Sequence, residues 1–453
     1  MTTLLIKNAT MINEGRRSEG DMLIQDGRIS HISSSISAAD NAEIIDAKGK
    51  LLIPGMIDDQ VHFREPGFPL KGTIASESRA AVAGGVTSYM EMPNVNPQTT
   101  NLQALEDKYA RAASSSVANF SFYLGATNDN LDEIRRLSVD QACGVKIFMG
   151  ASTGNMLVDN ADTLAAIFAE SPVLIATHCE DTPSIKLLED EYRARYGDDV
   201  PAREHGRIRS AAACLKSSRL AVELAKKHGT RLHVLHITTK EELALFEAAP
   251  TLEDLRKKQI TAEACVHHLF YNENDYDRLG HLIKCNPAIK GVEDQLALQE
   301  AVRNGVIDII ATDHAPHTWD EKQNTYFGAP SGLPLVQHPL LALFDLHRQG
   351  ALSLELLVQK TSHAVAERFQ LQDRGYLREG YWADLTLVDL DSPFTVNKEN
   401  LFYQCGWSPF EGHTFPARID TTLVNGEVVF RNAAHTTARP GQRLRFNRGN
   451  NRG

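Results

Sequence analysis

The sequence predicts a (β/α)8 barrel together with a small β-sandwich domain that is built from both chain ends. Short apolar segments of strand length alternate with helical segments over the middle of the chain. Polar residues directly follow several of these segments, and barrel enzymes carry their chemistry at that end of the strands. Both chain ends instead alternate short apolar runs with turn signals. A doubly wound open sheet is the alternative arrangement of the central alternation.

The two chain ends are expected to form one β-domain. Residues 1–52 carry short apolar runs punctuated by Lys7-Asn8 and Asp26-Gly27, dipeptides typical of hairpin turns. Residues 381–453 show the same alternation of short apolar runs and turn signals, and Asn425-Gly426 between two apolar runs is a strong hairpin signal. Residues 53–380 are then the barrel.

The barrel strands are predicted from apolar runs that end in polar residues. In chain order they are residues 56–62, 88–93, 120–125, 144–149, 173–178, 232–236, 260–265 and 307–313. Helical segments such as 76–83 and 220–227 separate them.

The composition is that of an ordinary globular protein. The chain has 453 residues, of which 42% are hydrophobic and 23% charged, so it can bury a large core. A net charge of −11 argues against nucleic acid or an anionic membrane as a partner. No apolar run reaches membrane-spanning length, and the N-terminus lacks a signal-peptide pattern. Scattered cysteines without a Cys-x-x-Cys pair favour reduced thiols in a cytoplasmic protein.

The segment after the first barrel strand has the pattern of a metal site with one ligand changed. Gln60 and His62 are two residues apart, so their side chains share one face of a strand. The usual pattern is His-x-His, and here glutamine stands first. Arg64 adds a fixed cation beside this site, which indicates a small anionic substrate.

Further chemistry-bearing residues recur at separate strand ends. His178 ends the fifth predicted strand, His236 the sixth and Asp313 the eighth. A single histidine is more often packed or solvated than a ligand, but this convergence favours a metal centre.

Three other histidines are given structural roles. His233 and His236 are an odd number of residues apart, so only one is expected to face the barrel interior, and we choose His236. His267 and His268 follow the seventh strand and are expected to pack or to orient other ligands.

Lys146 lies among apolar residues of the fourth predicted strand. One interpretation is a buried stem whose ammonium reaches water. The other is a buried, neutral amine that reacts with carbon dioxide and gives a carbamate able to bridge two metal ions.

Together these motifs resemble the amidohydrolase superfamily, and within it the dihydroorotases of the cyclic amidohydrolase group. The resemblance rests on residues 58–67, Lys146, His178, His236 and residues 312–317, and Met92-Pro93-Asn94 and Lys284-Cys285-Asn286-Pro287 follow the same order. It implies reversible ring closure of N-carbamoyl-L-aspartate to L-dihydroorotate, a step of pyrimidine synthesis. Metal-bound hydroxide would attack, with Asp313 as the acid and base.

The resemblance also implies roles for single residues. The implied metal ligands are His62, Lys146, His178, His236 and Asp313, and the implied substrate-binding residues are Arg64, Asn94, Asn286, His317, Phe327 and Gly328. One or two Zn²⁺ ions per chain and an N6-carboxylated Lys146 complete the site. Asn94 and Asn286 also suit turns beside prolines, which is the structural interpretation of both.

Gln60 leaves three arrangements of the metal open. These are a weak first site, a single ion held by Lys146, His178 and His236, or a shifted ligand such as Asp59. Another cyclic amidase, such as an allantoinase or hydantoinase, is the alternative enzyme, although its substrate would not need Arg64. The non-enzymatic alternative is an inactive scaffold that binds aspartate transcarbamoylase. Besides a small-molecule substrate, a homodimer is the other partner considered.

Overall fold

A closed barrel of parallel strands forms the middle of the chain and carries a β-rich second domain. The computed structural model describes residues 3–38, 42–150 and 156–449. In chain order the strands are β1 Thr3–Asn13, β2 Arg16–Gln25, β3 Arg28–Ser33, β4 Glu43–Asp46, β5 Leu51–Pro54, β6 Met56–Val61, β7 Val86–Glu91, β8 Asn119–Phe122, β9 Leu124–Gly125, β10 Val145–Phe148, β11 Ile175–His178, β12 Leu232–Val234, β13 Ile260–Cys265, β14 Ile309–Ala311, β15 Leu385–Asp389, β16 Phe394–Thr395, β17 Thr414–Phe415, β18 Arg418–Val424, β19 Glu427–Arg431 and β20 Ala434–His435.

Helices follow most of the barrel strands and cover the barrel. They are α1 Ile74–Ala83, α2 Leu102–Ser115, α3 Leu131–Arg136, α4 Ala161–Glu170, α5 Thr182–Tyr196, α6 His205–Ile208, α7 Ala211–His228, α8 Leu252–Lys257, α9 Val266–Phe270, α10 Tyr276–Leu279, α11 Val292–Arg303, α12 Trp319–Lys322, α13 Pro339–Arg348, α14 Leu354–Val358 and α15 Ala364–Phe369. Within the described residues, none of them is long and apolar enough to cross a membrane.

The barrel closes between its first and last strands. Strands β6, β7 and β8 pair in parallel, and β9 to β14 pair in parallel in chain order. Only Tyr123 separates β8 from β9, so the two are one interrupted strand. Val61 bridges in parallel to His314, just after β14, and the His62 amide donates to the His314 carbonyl at 2.7 Å. This closure confirms the barrel and excludes the open doubly wound sheet.

The chain ends share one sheet. Its strand order is β20-β19-β18-β15-β5-β1-β2-β3, with β4 beside β1. The two ends meet where β5 pairs antiparallel with β15, Pro54 lying opposite Leu385. This arrangement gives the predicted β-rich domain, whereas its boundaries at residues 52 and 380 stay a prediction.

Two predicted hairpin turns are present and one is wrong. Asp26-Gly27 joins β2 to β3, and Asn425-Gly426 joins β18 to β19, with a positive φ at all four residues. Lys7-Asn8 instead lies inside β1, where the register against β2 shifts between Ile6 and Ala9. The strand continues through this bulge because β2 and β4 pair with it on both sides.

Candidate active site

A small cavity opens at the carboxyl ends of the barrel strands. It is lined by Gln60, His62, Arg64, Lys146, Phe148, His178, His236, Asn286, Asp313, Ala315, Ser331 and Gly332. The structure thus brings together most of the residues that the sequence singled out. Gln60 and His62 both face it, as their spacing predicted.

Three of the lining residues have left-handed backbone conformations. The φ angles are 71° at Arg64, 40° at His236 and 49° at Asp313. Side chains other than glycine rarely adopt this region, and such residues cluster at functional sites. The chain therefore turns out of the strand direction here, and β12 and β14 end two residues before His236 and Asp313.

His233 also points into the barrel, which corrects the prediction that only His236 would do so. Its Nε2 lies 3.1 Å from an Asp59 oxygen and 3.4 Å from a Glu263 oxygen. Strands β12 and β6 are not neighbours, so the contact with Asp59 must cross the barrel interior. Alternation of side chains fails as a guide because the backbone at His236 is left-handed.

The three side chains Asp59, His233 and Glu263 form a buried ion cluster beside the cavity. Burial alone would lower the pKa of His233, but the contacts that its ring N–H makes with the Asp59 and Glu263 carboxylates raise it to about 9. His233 is therefore an imidazolium that faces both acidic side chains, while burial and the neighbouring Asp59 charge raise the pKa of Glu263 to about 7. Asp59, one of the ligands considered for a shifted metal, is engaged in this cluster and is not part of the cavity wall.

His178 and His236 present ring nitrogens to each other across the cavity. His178 Nδ1 and His236 Nε2 are 3.0 Å apart, and burial lowers the pKa of both rings. On its other side, His178 Nε2 lies 3.1 Å from Glu180 Oε2, which accepts from Arg209 Nη1 at 2.5 Å. A proton on His178 Nε2 leaves a lone pair on Nδ1, so this face suits a cation.

Lys146 lies beside these two rings and is almost fully buried. Its side chain is 1% exposed, and its Nζ lies 4.7 Å from the centre of the Phe148 ring. Burial lowers the pKa of Lys146 to about 8. The interpretation as a surface-reaching lysine is therefore wrong, and a neutral amine is accessible near neutral pH.

Gln60, His62 and Asp313 form the opposite wall. Asp313 Oδ1 lies 3.0 Å from Gln60 Nε2 and 3.2 Å from His62 Nε2, and His62 Nδ1 lies 2.8 Å from Asn94 Oδ1. Burial raises the pKa of Asp313, but its contact with His62 lowers it by more, so the net shift is downward. Gln60 thus directs its nitrogen to the carboxylate, while its oxygen lies 3.7 Å from Cys265 Sγ.

Arg64 supplies a buried cation at the cavity rim. The side chain is 4% exposed; its Nε donates to the Pro316 carbonyl at 3.0 Å, and its Nη2 lies 3.1 Å from His317 Nε2. Lys71 Nζ lies 3.1 Å from the other nitrogen of His317. In the part of the chain that the structure describes, no acidic side chain pairs with Arg64. This group of donors suits an anion.

The remaining predicted substrate contacts differ in position. Asn286 lines the cavity, and its Oδ1 has no hydrogen-bond partner within the described residues. Phe327 instead lies under the Arg193 guanidinium, 3.7 Å from the ring centre, and Gly328 is exposed. Neither belongs to the cavity wall, so their contact with a substrate stays a prediction.

The sequence reasoning did not identify Glu180, Arg209 or Cys265 as parts of the site. Glu180 follows His178 by two residues just past a strand end, a spacing that would have marked it. Arg209 lies far along the chain, and only the fold reveals its contact with Glu180.

Comparison with known proteins agrees with this geometry. The family model described as Amidohydrolase family matches residues 51–429. The chain belongs to the amidohydrolase family. This amidohydrolase is 32% identical over 452 residues to a dihydroorotase of Methanosarcina mazei, covering 98% of this chain and 97% of the relative.

Other amidohydrolase relatives carry different names. An allantoinase of Solibacter usitatus is 31% identical over 453 residues, covering 98% of this chain and 97% of the relative. The solved structure of an L-hydantoinase from Arthrobacter aurescens superposes with a TM-score of 0.92 at 27% identity, covering 98% of this chain and all of that one. The family is metal-dependent, which fits the facing imidazoles of His178 and His236.

Proposed function

We propose that this amidohydrolase is a dihydroorotase, which interconverts N-carbamoyl-L-aspartate and L-dihydroorotate with loss of water. The observation that carries the proposal is Arg64, a buried guanidinium at the cavity rim without an acidic partner among the described residues. Burying an uncompensated charge is costly unless a ligand neutralises it. Relatives named dihydroorotase, at about a third identity over nearly the whole chain, support the same activity.

Arg64 would distinguish dihydroorotate from other cyclic amides by binding the carboxylate on its ring. Arg64 lies next to His317 at the rim, and a guanidinium binds a carboxylate through two parallel hydrogen bonds. Allantoin, hydantoin and dihydrouracil have no carboxylate on the ring. Asn286 Oδ1, an acceptor without a partner among the described residues, is suited to a ring N–H of the substrate.

A divalent ion fits the imidazole face of the cavity. Lys146, His178 and His236 would hold it, with His62 and Asp313 on the opposite wall. Zinc is the proposed ion, and Lys146 is proposed to be carboxylated, because imidazole with an anionic oxygen is a zinc-type ligand set. When bound, such an ion supplies Lewis acidity and lowers the pKa of water to near neutral.

Asp313 is the proposed acid and base. Its pKa is lowered, so it is a carboxylate at neutral pH and able to accept a proton from the attacking water. It then delivers this proton to the ring nitrogen that leaves, and the same steps run backwards during cyclisation. Gln60 Nε2 donates to Oδ1 of this carboxylate, and His62 Nε2 lies 3.2 Å from the same oxygen, so both fix the position of the group.

The test is a substrate comparison on protein purified without chelators. We expect hydrolysis of L-dihydroorotate, and little or none of allantoin and dihydrouracil, by protein that contains metal. Faster hydrolysis of allantoin would make the enzyme an allantoinase. A metal-free protein inactive on all three substrates would favour the scaffold that binds aspartate transcarbamoylase.

Assembly and location are separate proposals. A homodimer, and an association with aspartate transcarbamoylase, are tested by light scattering of the enzyme alone and after mixing. A cytoplasmic location rests on the composition and is tested by fractionation of cells.

A further inference from the structure

A buried cluster of metal-ligand type lies where β13 ends, next to the cavity. It consists of Cys265, His267 and His268, and the proposed reaction uses none of them. The thiol sulfur and one ring nitrogen of each histidine lie within 4.8 Å of one another. All three side chains are buried, with exposures of 0% for Cys265 and His267 and 3% for His268.

His268 has one ring nitrogen that is free to act as an acceptor. Its Nε2 lies 3.1 Å from the Pro287 carbonyl oxygen, which can only accept, so Nε2 carries the proton. The other nitrogen, Nδ1, is then an acceptor, and no donor reaches it from the residues that the structure describes. Proteins orient metal-binding histidines by such a bond from the opposite ring nitrogen to a carbonyl.

The ring of His267 has fewer hydrogen bonds than that of His268, although it is also buried. The ring faces the backbone of Thr312, but neither of its nitrogens makes a hydrogen bond of normal geometry within residues 3–38, 42–150 and 156–449, although the side chain is completely buried. A buried polar group without a partner costs about 1–3 kcal/mol. Such a group calls for an unseen partner, and an ion between His267, His268 and Cys265 would satisfy both imidazoles.

We propose that Cys265, His267 and His268 bind a second divalent metal ion, separate from the one at Lys146, His178 and His236. One thiolate and two imidazoles form a three-residue zinc-type set with an open position, and this set disfavours hard cations such as Mg²⁺. The thiol proton is released to solvent on binding. Gln60 is placed to supply the fourth ligand, since its Oε1 lies 3.7 Å from Cys265 Sγ.

The glutamine also connects the proposed site to the cavity. Gln60 lines the cavity and its Oε1 lies 3.7 Å from Cys265 Sγ, so this side chain contacts both the cavity and the cluster. The amide of Gln60 donates from its nitrogen to Asp313 and offers its oxygen to the thiol. The inference rests on these contacts and does not depend on which cyclic amide the enzyme hydrolyses.

The test is replacement of the native metal by Co²⁺, whose bond to a thiolate gives a charge-transfer absorption. We expect this absorption in the full-length wild type loaded with Co²⁺. The Cys265→Ser variant should lose the absorption and about one ion per chain by elemental analysis. Cys143→Ser, which alters another buried free thiol, should change neither quantity.

A second pair of variants separates this site from the proposed catalytic one. His178→Ala should lose about one ion but keep the thiolate absorption, because the affected ion is the other one. If Cys265→Ser does not fold, His268→Gln replaces it, with loss of one ion and a diminished or shifted absorption expected. Cobalt-loaded wild type without thiolate absorption, or an absorption that survives Cys265→Ser, would overturn the proposal while leaving the dihydroorotase activity untouched.

Discussion

Replacing Arg64 by methionine should remove most of the activity on L-dihydroorotate while leaving the fold intact. The guanidinium bonds to the Pro316 carbonyl and faces His317, so part of its fork remains for a substrate carboxylate. Two hydrogen bonds to a charged group contribute about 1.5–3 kcal/mol each. Their loss corresponds to a fall of roughly 10² to 10⁴-fold in kcat/KM. Because no acidic partner among the described residues is left behind, the midpoint of urea unfolding should change little.

The assay compares ligands that differ by the one carboxylate. Steady-state hydrolysis of L-dihydroorotate gives kcat/KM, and inhibition constants for N-carbamoyl-L-aspartate and 3-ureidopropionate report binding with and without that group. We expect the Arg64→Met loss for the first inhibitor only. Arg303→Met is the matched control, since this arginine pairs with Glu300 on the surface away from the cavity wall, and it should alter kcat/KM less than about twofold. Equal weakening of both inhibitors by Arg64→Met would refute the assignment of Arg64 to the carboxylate.

Three further predictions concern acid–base chemistry and buried charge. Asp313→Asn should lower kcat by about 10²–10⁴-fold with a smaller effect on KM, measured at saturating L-dihydroorotate, and an unchanged kcat would contradict the assignment. Lys108→Met should destabilise the fold by about 3–5 kcal/mol in urea, because Glu91 loses its partner at 3.1 Å; adding Glu91→Leu should restore most of the loss. Since contacts with two carboxylates raise the pKa of His233 to about 9, its stabilisation is complete below about pH 6.5 and is lost as the pH rises through 9. The free energy of unfolding should therefore fall over that range, and the fall should be smaller in His233→Asn.

The barrel could be predicted because its signals are local. Each strand is an apolar run, and β13 was predicted with both ends correct. The sixth and eighth strands were predicted too long, because the backbone turns into the left-handed region at His236 and Asp313. The local sequence does not predict this left-handed conformation, because a histidine or an aspartate at a strand end is equally compatible with an extended backbone.

The candidate site was predicted where residues lie on different strand ends, because a barrel brings such ends together whatever their separation along the chain. Contacts that depend on how the chain folds back were not predictable in this way. Arg209 reaches Glu180 from a separate helical region, and His233 meets Asp59 through the barrel interior. Alternation along a strand gives the wrong direction for His233 because the backbone at His236 is left-handed.

Gln60 changes how the site balances the charge of Asp313. An imidazole at this position can offer a lone pair to an ion that would neutralise the carboxylate, whereas an amide nitrogen can only donate a hydrogen bond. In this chain that bond, at 3.0 Å, acts together with the 3.2 Å contact from His62 on the same oxygen. Asp313 can therefore remain ionised with the Gln60 amide as its hydrogen-bond donor, and the proposed metal ion would lie on the side of Lys146 and His178. Glutamine in place of histidine at position 60 is thus compatible with catalysis. It removes one imidazole ligand from the wall formed by Gln60, His62 and Asp313, but the amide still fixes the position of Asp313.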